Sequence, residues 1–192
     1  GAISYLLTSY LNDLQKKKTL PDDIRFKTYI SAGPKPGNLF YAYDFEADFH
    51  GWAFNVVNTA DWVPETPVSI QTLYDFNTTN PFINAGETIK KQKFPKNLVM
   101  KHVFKKLDKP TRKAQHNYEK YLGEMTSKLL KSSLPEFVPP TYYESNHYVR
   151  TGTIIVLRAD EAYYKLYPDK NEKIFGHHGH EQYLYLLERF DE

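Results

Sequence analysis

Apolar and polar positions follow first one period and then another along the chain, and each change of period marks an element. Ala2, Ile3, Leu6, Leu7, Tyr10, Leu11 and Leu14 recur at helical spacing, with Asn12, Asp13 and residues 15–18 on or beyond the far side. That pattern predicts an amphipathic helix with no capping residue ahead of it, as if cut from something longer. Residues 26–32 then read as a strand ending at Gly33, and residues 33–38 (Gly-Pro-Lys-Pro-Gly-Asn) as tight strand-to-helix punctuation. A short aromatic helix starts over residues 39–45. Residues 53–57 (AFNVV) form an apolar, β-branched run of the kind found in a strand buried on both faces. Together these make a strand, helix, strand unit of parallel type.

The next stretch changes character. Residues 69–89 read as irregular loop with a turn cluster at 77–81. A helix over residues 95–107 brings Val99, Val103 and Leu107 together; Pro110 is expected to interrupt it. A second helix over 111–130 carries Tyr118, Tyr121, Leu122, Met125 and Leu129 on one stripe. Such stripes are what helices covering a sheet show, and a helical cap or lid over residues 74–146 is the alternative. Residues 134–140 act as a stiff proline-rich connector, residues 147–157 as the last strand, and residues 160–172 as a polar connection. A histidine-rich loop at 176–181 leads into a terminal helix with Tyr183, Leu184, Leu186 and Leu187. The fold class expected is α/β, a mostly parallel sheet flanked by helices, in a single domain spanning residues 1–192.

Composition narrows the chemistry. There is no cysteine, which excludes a disulfide scaffold, a thiol nucleophile and a Cys-ligated metal site. The balance of 25 basic and 23 acidic residues leaves a net charge of +2, too little to draw in nucleic acid. Locally basic stretches at 16–18 and 90–106 read as solvated helix faces. No apolar run approaches the length of a membrane span, and contact with a membrane surface is left open without support.

Candidate site residues gather after two strands. Asp61 follows the 53–57 run directly, and Pro64 and Pro67 stop any continuing ladder, so its carboxylate sits at the carboxyl end of a buried strand, where open α/β sheets keep their chemistry. An Asp there is also a common cap; Asp44, Asp48 and Asp160 are weaker candidates for an acid. Of seven histidines, His177, His178 and His180 crowd one loop after the last strand, where an imidazole can reach both an acid and a nucleophile. A zinc cluster and a solvated loop are the competing readings of that trio. His50, His102, His116 and His147 read as surface or packing residues.

The order of residues 29–38 (YISAGPKPGN) and 55–67 (NVVNTADWVPETP) resembles the class 3 lipases of the α/β-hydrolase fold, whose strand and Gly-Asn loop are followed by a strand running into Asn-x-x-Asp-x-Val-Pro-x-x-Pro. The resemblance implies that Asp61 is the acid of a Ser, Asp, His triad. Gly1-Ala2-Ile3-Ser4 looks like the end of the Gly-His-Ser-x-Gly-Gly-Ala elbow, so the nucleophilic serine would lie upstream of Gly1 and outside this sequence. These residues alone would then lack a competent site. The family's His-then-Tyr spacing matches His178 with Tyr183 best, then His180, then His177. The implied substrate is an acylglycerol or other lipid ester, or a small ester, with no cofactor, no metal and no nucleic-acid partner. The missing N-terminal segment is the implied protein partner, and a secreted or cell-envelope location is what the family suggests. The alternative is a hydrolase scaffold kept as a non-catalytic binding or structural module.

Overall fold

A computed structural model of the protein describes residues 1–141, 143–169 and 172–190. Of the connection expected at 168–172, Lys170 and Asn171 lie outside the described residues, as does Tyr142 within 74–146. The chain divides into two compact units, residues 1–68 with 149–192, and residues 69–148.

The first unit is a mixed α/β unit built on a three-stranded parallel sheet. Strand β1 (Thr28–Ser31) leads through the two-residue strand β2 (Gly37–Asn38) into helix α2 (Leu39–Phe49), and the chain returns as β3 (Ala53–Asn58). Asn38 caps α2 by accepting from the Tyr41 amide at 2.9 Å, which gives the Gly-Asn pair its local task. After the two-residue β4 (Tyr148–Val149), strand β5 (Thr153–Leu157) pairs with β3 opposite β1, giving the order β1-β3-β5. All three run parallel, with Tyr29 beside Phe54 and Phe54 beside Thr153, so their carboxyl ends share one edge. Strand β3 is central, which is why its run is mostly apolar and carries buried residues on both faces.

Alternate residues feed two cores. On one face Ile30 and Ala53 pack with Phe45 and Phe49 of α2 and Tyr5 of the first helix, α1 (Ala2–Lys16). On the other, Val56, Ile155 and Leu157 pack with Tyr163 of α6 (Glu161–Leu166) and with Tyr183 and Leu186 of α7 (His180–Glu188). Helix α1 turns a different face inward from the one its apolar stripe predicts. Tyr5 and Thr8 are buried, whereas Ile3, Leu6, Leu7 and Tyr10 are exposed. Hydrogen bonds set that orientation: the Tyr5 hydroxyl donates to the Thr151 carbonyl at 2.7 Å, Thr8 Oγ1 meets Thr28 Oγ1 at 2.9 Å, and Ser9 meets the Tyr41 hydroxyl at 2.9 Å. The residue just before the helix lies hard against the end of β1. A Cβ on Gly1 would come 2.2 Å from Gly33 Cα and 2.9 Å from the Ser31 carbonyl oxygen, so only glycine permits the approach.

Two further differences from the pattern have local causes. Glu161–Leu166 form α6 rather than part of a plain connection, because the Asp160 carboxylate caps it through the Tyr163 amide at 2.8 Å and Tyr163 drops into the core. The last strand begins at Thr153 rather than 147, since Gly152 has φ +86°, outside any strand conformation.

The unit of residues 69–148 is mainly helical. Helix α3 (Ala85–Lys90) forms within a stretch read as loop. Helix α4 (Lys96–Tyr118) passes straight through Pro110. The proline removes a bond that the Lys106 carbonyl would have accepted; Lys106 is exposed, and water can serve it instead. A π-helical turn over Glu119–Glu124 joins α4 to α5 (Met125–Ser133).

Candidate functional site

At the carboxyl edge of the sheet the chain leaves β3 and folds back on itself. The Asn58 side chain accepts from the Ala60 amide at 2.9 Å and the Asp61 amide donates to the Asn58 carbonyl at 3.0 Å, a tight turn that brings Asp61 beneath the strand end. The Asp61 carboxylate is buried, with only 1% of its side chain exposed, and a charge so placed needs full hydrogen bonding. It has it. Asp61 Oδ1 accepts from the Val63 amide at 3.0 Å, and Oδ2 accepts from the Tyr183 hydroxyl and from His178 Nδ1, both at 2.8 Å.

Because an ionised carboxylate can only accept, the contact fixes the proton of neutral His178 on Nδ1 and leaves Nε2 with its lone pair. The His178 side chain is 34% exposed while that of Asp61 is sealed, so the imidazole is open to a substrate or nucleophile. Tyr183 accepts from the Asn58 amide at 3.2 Å as it donates to Asp61. Burial pushes the Tyr183 phenol well above its ordinary value, and the Asp61 charge adds to the rise, so it stays a neutral donor.

The loop that presents His178 is fastened at three points. The Trp62 indole donates to the Ile174 carbonyl at 2.7 Å, Asn58 Nδ2 donates to the His177 carbonyl at 3.2 Å, and His177 Nδ1 meets the Tyr163 hydroxyl at 2.9 Å. Asn58 Nδ2 also donates to Tyr163 at 3.0 Å, which frees that hydroxyl's own proton for His177.

The three clustered histidines therefore separate. His178 joins Asp61, His177 turns to Tyr163, and His180 is exposed in the first turn of α7. Among the described residues no group of three or more His, Asp and Glu side chains is arranged to hold a metal ion. The other acids lie elsewhere: Asp160 caps α6, and Asp48 binds Asn12 and Lys16. Asn58, Trp62 and Tyr163, which fix the site, were not singled out from the sequence; Asn58 opens the Asn-x-x-Asp pattern and was the one with a visible signal.

A cavity of about 560 Å³ opens beside the pair. His178, His180 and Ser31 reach its wall, which is otherwise apolar, with Val56, Leu157 and Leu184 among its residues. Searches of protein-family models, curated proteins and solved structures give no match to the chain.

Proposed function

We propose that the chain is the C-terminal portion of a class 3 lipase-like α/β hydrolase, a carboxylic ester hydrolase acting on acylglycerols or other lipid esters. In this reading Asp61 and His178 are the acid and base of a Ser-His-Asp triad whose serine lies upstream of residue 1. The observation that carries it is the buried Asp61 carboxylate bonded to His178 Nδ1 at 2.8 Å, at the carboxyl edge of a parallel sheet. Supporting it, Gly1 at the start of α1 touches Gly33 just past the same edge, where an elbow residue ahead of α1 would emerge. The exposed row Ile3, Leu6, Leu7 and Tyr10 is then a face that the upstream segment covers.

The chemistry follows from the tautomer. His178 Nε2 takes the hydroxyl proton as the serine oxygen attacks the ester carbonyl, and the imidazolium so formed is stabilised by Asp61, which stays ionised. Collapse of the tetrahedral intermediate breaks the bond to the alkoxy oxygen, and the imidazolium returns the proton to the departing alcohol. Water then repeats the sequence on the acyl-enzyme and releases the acid. No cofactor enters.

Treating the complete protein with a fluorophosphonate, followed by peptide mapping, tests the reading. An adduct on a serine a few residues upstream of Gly1 is the expected result. Folded protein with no adduct would sink the hydrolase and leave a non-catalytic module of the same scaffold.

A further inference from the structure

The π-helical turn fuses α4 and α5 into one continuous helix from Lys96 to Ser133, 38 residues and roughly 57 Å long. Very little of it is covered; Gln115 is its one buried residue among those described. The apolar positions that should pack on a sheet face water. Val99, Val103 and Leu107, spaced four apart on one side, are 61%, 50% and 69% exposed, and Leu122, Met125 and Leu129 further along are 59%, 55% and 69% exposed.

The same helix is strongly basic. It carries nine lysines and Arg112 against Asp108, Glu119 and Glu124. Arg112 pairs with Asp108, while among the described residues none of the nine lysines forms a salt bridge. Over residues 90–131 twelve lysines and one arginine against three acids give a net charge of +10, leaving −8 for the rest of a chain whose total is +2.

We propose that this helix is an interfacial docking element for an anionic lipid surface, its aliphatic rows entering the headgroup boundary and its lysines meeting the lipid charge. A helix with exposed aliphatic residues and lysine-rich flanks has the composition of one that lies in the membrane plane. No described helix is long and apolar enough to cross a bilayer, so the element lies on the surface. Two other occupants fit less well. Nucleic acid would neutralise the lysines but give Val99, Val103 and Leu107 nothing to bury against. A second copy would cover the aliphatic rows but bring two like-charged helices together. The inference does not rest on the hydrolase reading.

Co-sedimentation of the whole chain with vesicles tests it, comparing phosphatidylcholine alone with phosphatidylcholine plus phosphatidylserine. The chain should pellet with the mixed vesicles only, and high salt should release it. Replacing Lys96, Lys106 and Lys113, which share or flank the side of Val99, Val103 and Leu107, by Gln should weaken binding about fivefold per lysine. The triple variant V99Q/V103Q/L107Q, changed only at exposed helix positions, should keep its circular dichroism yet lose at least about tenfold in affinity. Failure to pellet, or equal pelleting with neutral vesicles, overturns the proposal. So does a V99Q/V103Q/L107Q variant that binds like the parent, or tighter, stripe-independent binding to single-stranded RNA. A dimer dispersed by that variant, with no vesicle binding, would instead make the surface a self-association face.

Discussion

At the scale of single residues the site is a chain of buried donors ending on one carboxylate. Asp61 does two tasks at once: Oδ1 closes its own turn through the Val63 amide, and Oδ2 holds His178 and Tyr183. The cap reading and the acid reading of this residue, both visible in the sequence, are compatible in one side chain. Asp61→Asn keeps the shape but puts an amide where His178 needs an acceptor, favouring the wrong tautomer. On the hydrolase reading proposed above, it should lower ester turnover about ten-thousandfold, the size of the same change in a serine protease. Steady-state kinetics near the parent's would remove Asp61 from the proposed triad. Tyr183 gives a prediction on pH. Burial raises its phenol, and that of Tyr5, above the ordinary 10.0. Below pH 10 both forms of the chain keep these protons. Above it the unfolded chain ionises first, so their contribution to stability is lost as the pH rises. The urea midpoint should therefore fall on going from neutral pH to beyond 10. Tyr183→Phe should flatten that fall while costing about 1.5–3 kcal/mol at neutral pH, because a hydrogen bond to a buried carboxylate is lost. An unchanged alkaline slope in the variant would show that Tyr183 does not carry it. Which histidine meets Asp61 was only partly legible. Spacing to Tyr183 favours His178, but the fastening of the loop by Trp62 and Asn58 joins residues more than a hundred positions apart, and no local pattern encodes it.

Elements were legible where period and burial agree. Strand β3 reads directly from AFNVV because a central parallel strand is covered on both faces. Helix α1 reads as a helix but with the wrong face inward, since its orientation depends on hydroxyl partners on Thr28, Tyr41 and the Thr151 carbonyl rather than on its aliphatic stripe. Helix α6 depends on one capping carboxylate and one tyrosine, too little for a period to show. The seam between α1 and β1 makes a test of how tightly the sheet edge is built. A Cβ on Gly33 would lie 2.6 Å from Ile30 Cγ2 and 3.2 Å from the Tyr5 ring, both fully buried side chains. Gly33→Ala should cost about 1–3 kcal/mol by forcing that seam apart. Gly86, inside α3 with nothing within 4 Å of its would-be Cβ, should show the opposite sign, with Gly86→Ala gaining about 0.5–1 kcal/mol. Chemical denaturation of the two variants compares them directly; equal and small effects would mean that the α1–β1 seam yields easily.

Across the whole molecule, core and charge are distributed in opposite ways. Both buried clusters belong to the unit of residues 1–68 and 149–192, whereas among the described residues of 69–148 the buried hydrophobic residue is Ile89, with Thr72, Asp75 and Gln115 as buried polar company. The cations run the other way, with a net +10 on residues 90–131 and −8 elsewhere. A surface that attracts the first charge repels the second, so an anionic lipid surface would orient the chain as well as bind it. The near-neutral total of +2 conceals this, because summing over the chain cancels two opposite regions. Uneven burial also means uneven stability, since local opening is easiest where few apolar contacts must be broken. Limited trypsin digestion reads both properties at once, because each exposed lysine of the long helix is a cleavage site. The first cuts should fall after lysines between 90 and 131, with amides of that stretch exchanging well before those of β1 and β3. Anionic vesicles should protect the same lysines if the helix docks on lipid. First cuts at Lys16 to Lys18, which flank a helix anchored by Tyr5, would contradict the order of stability argued from burial.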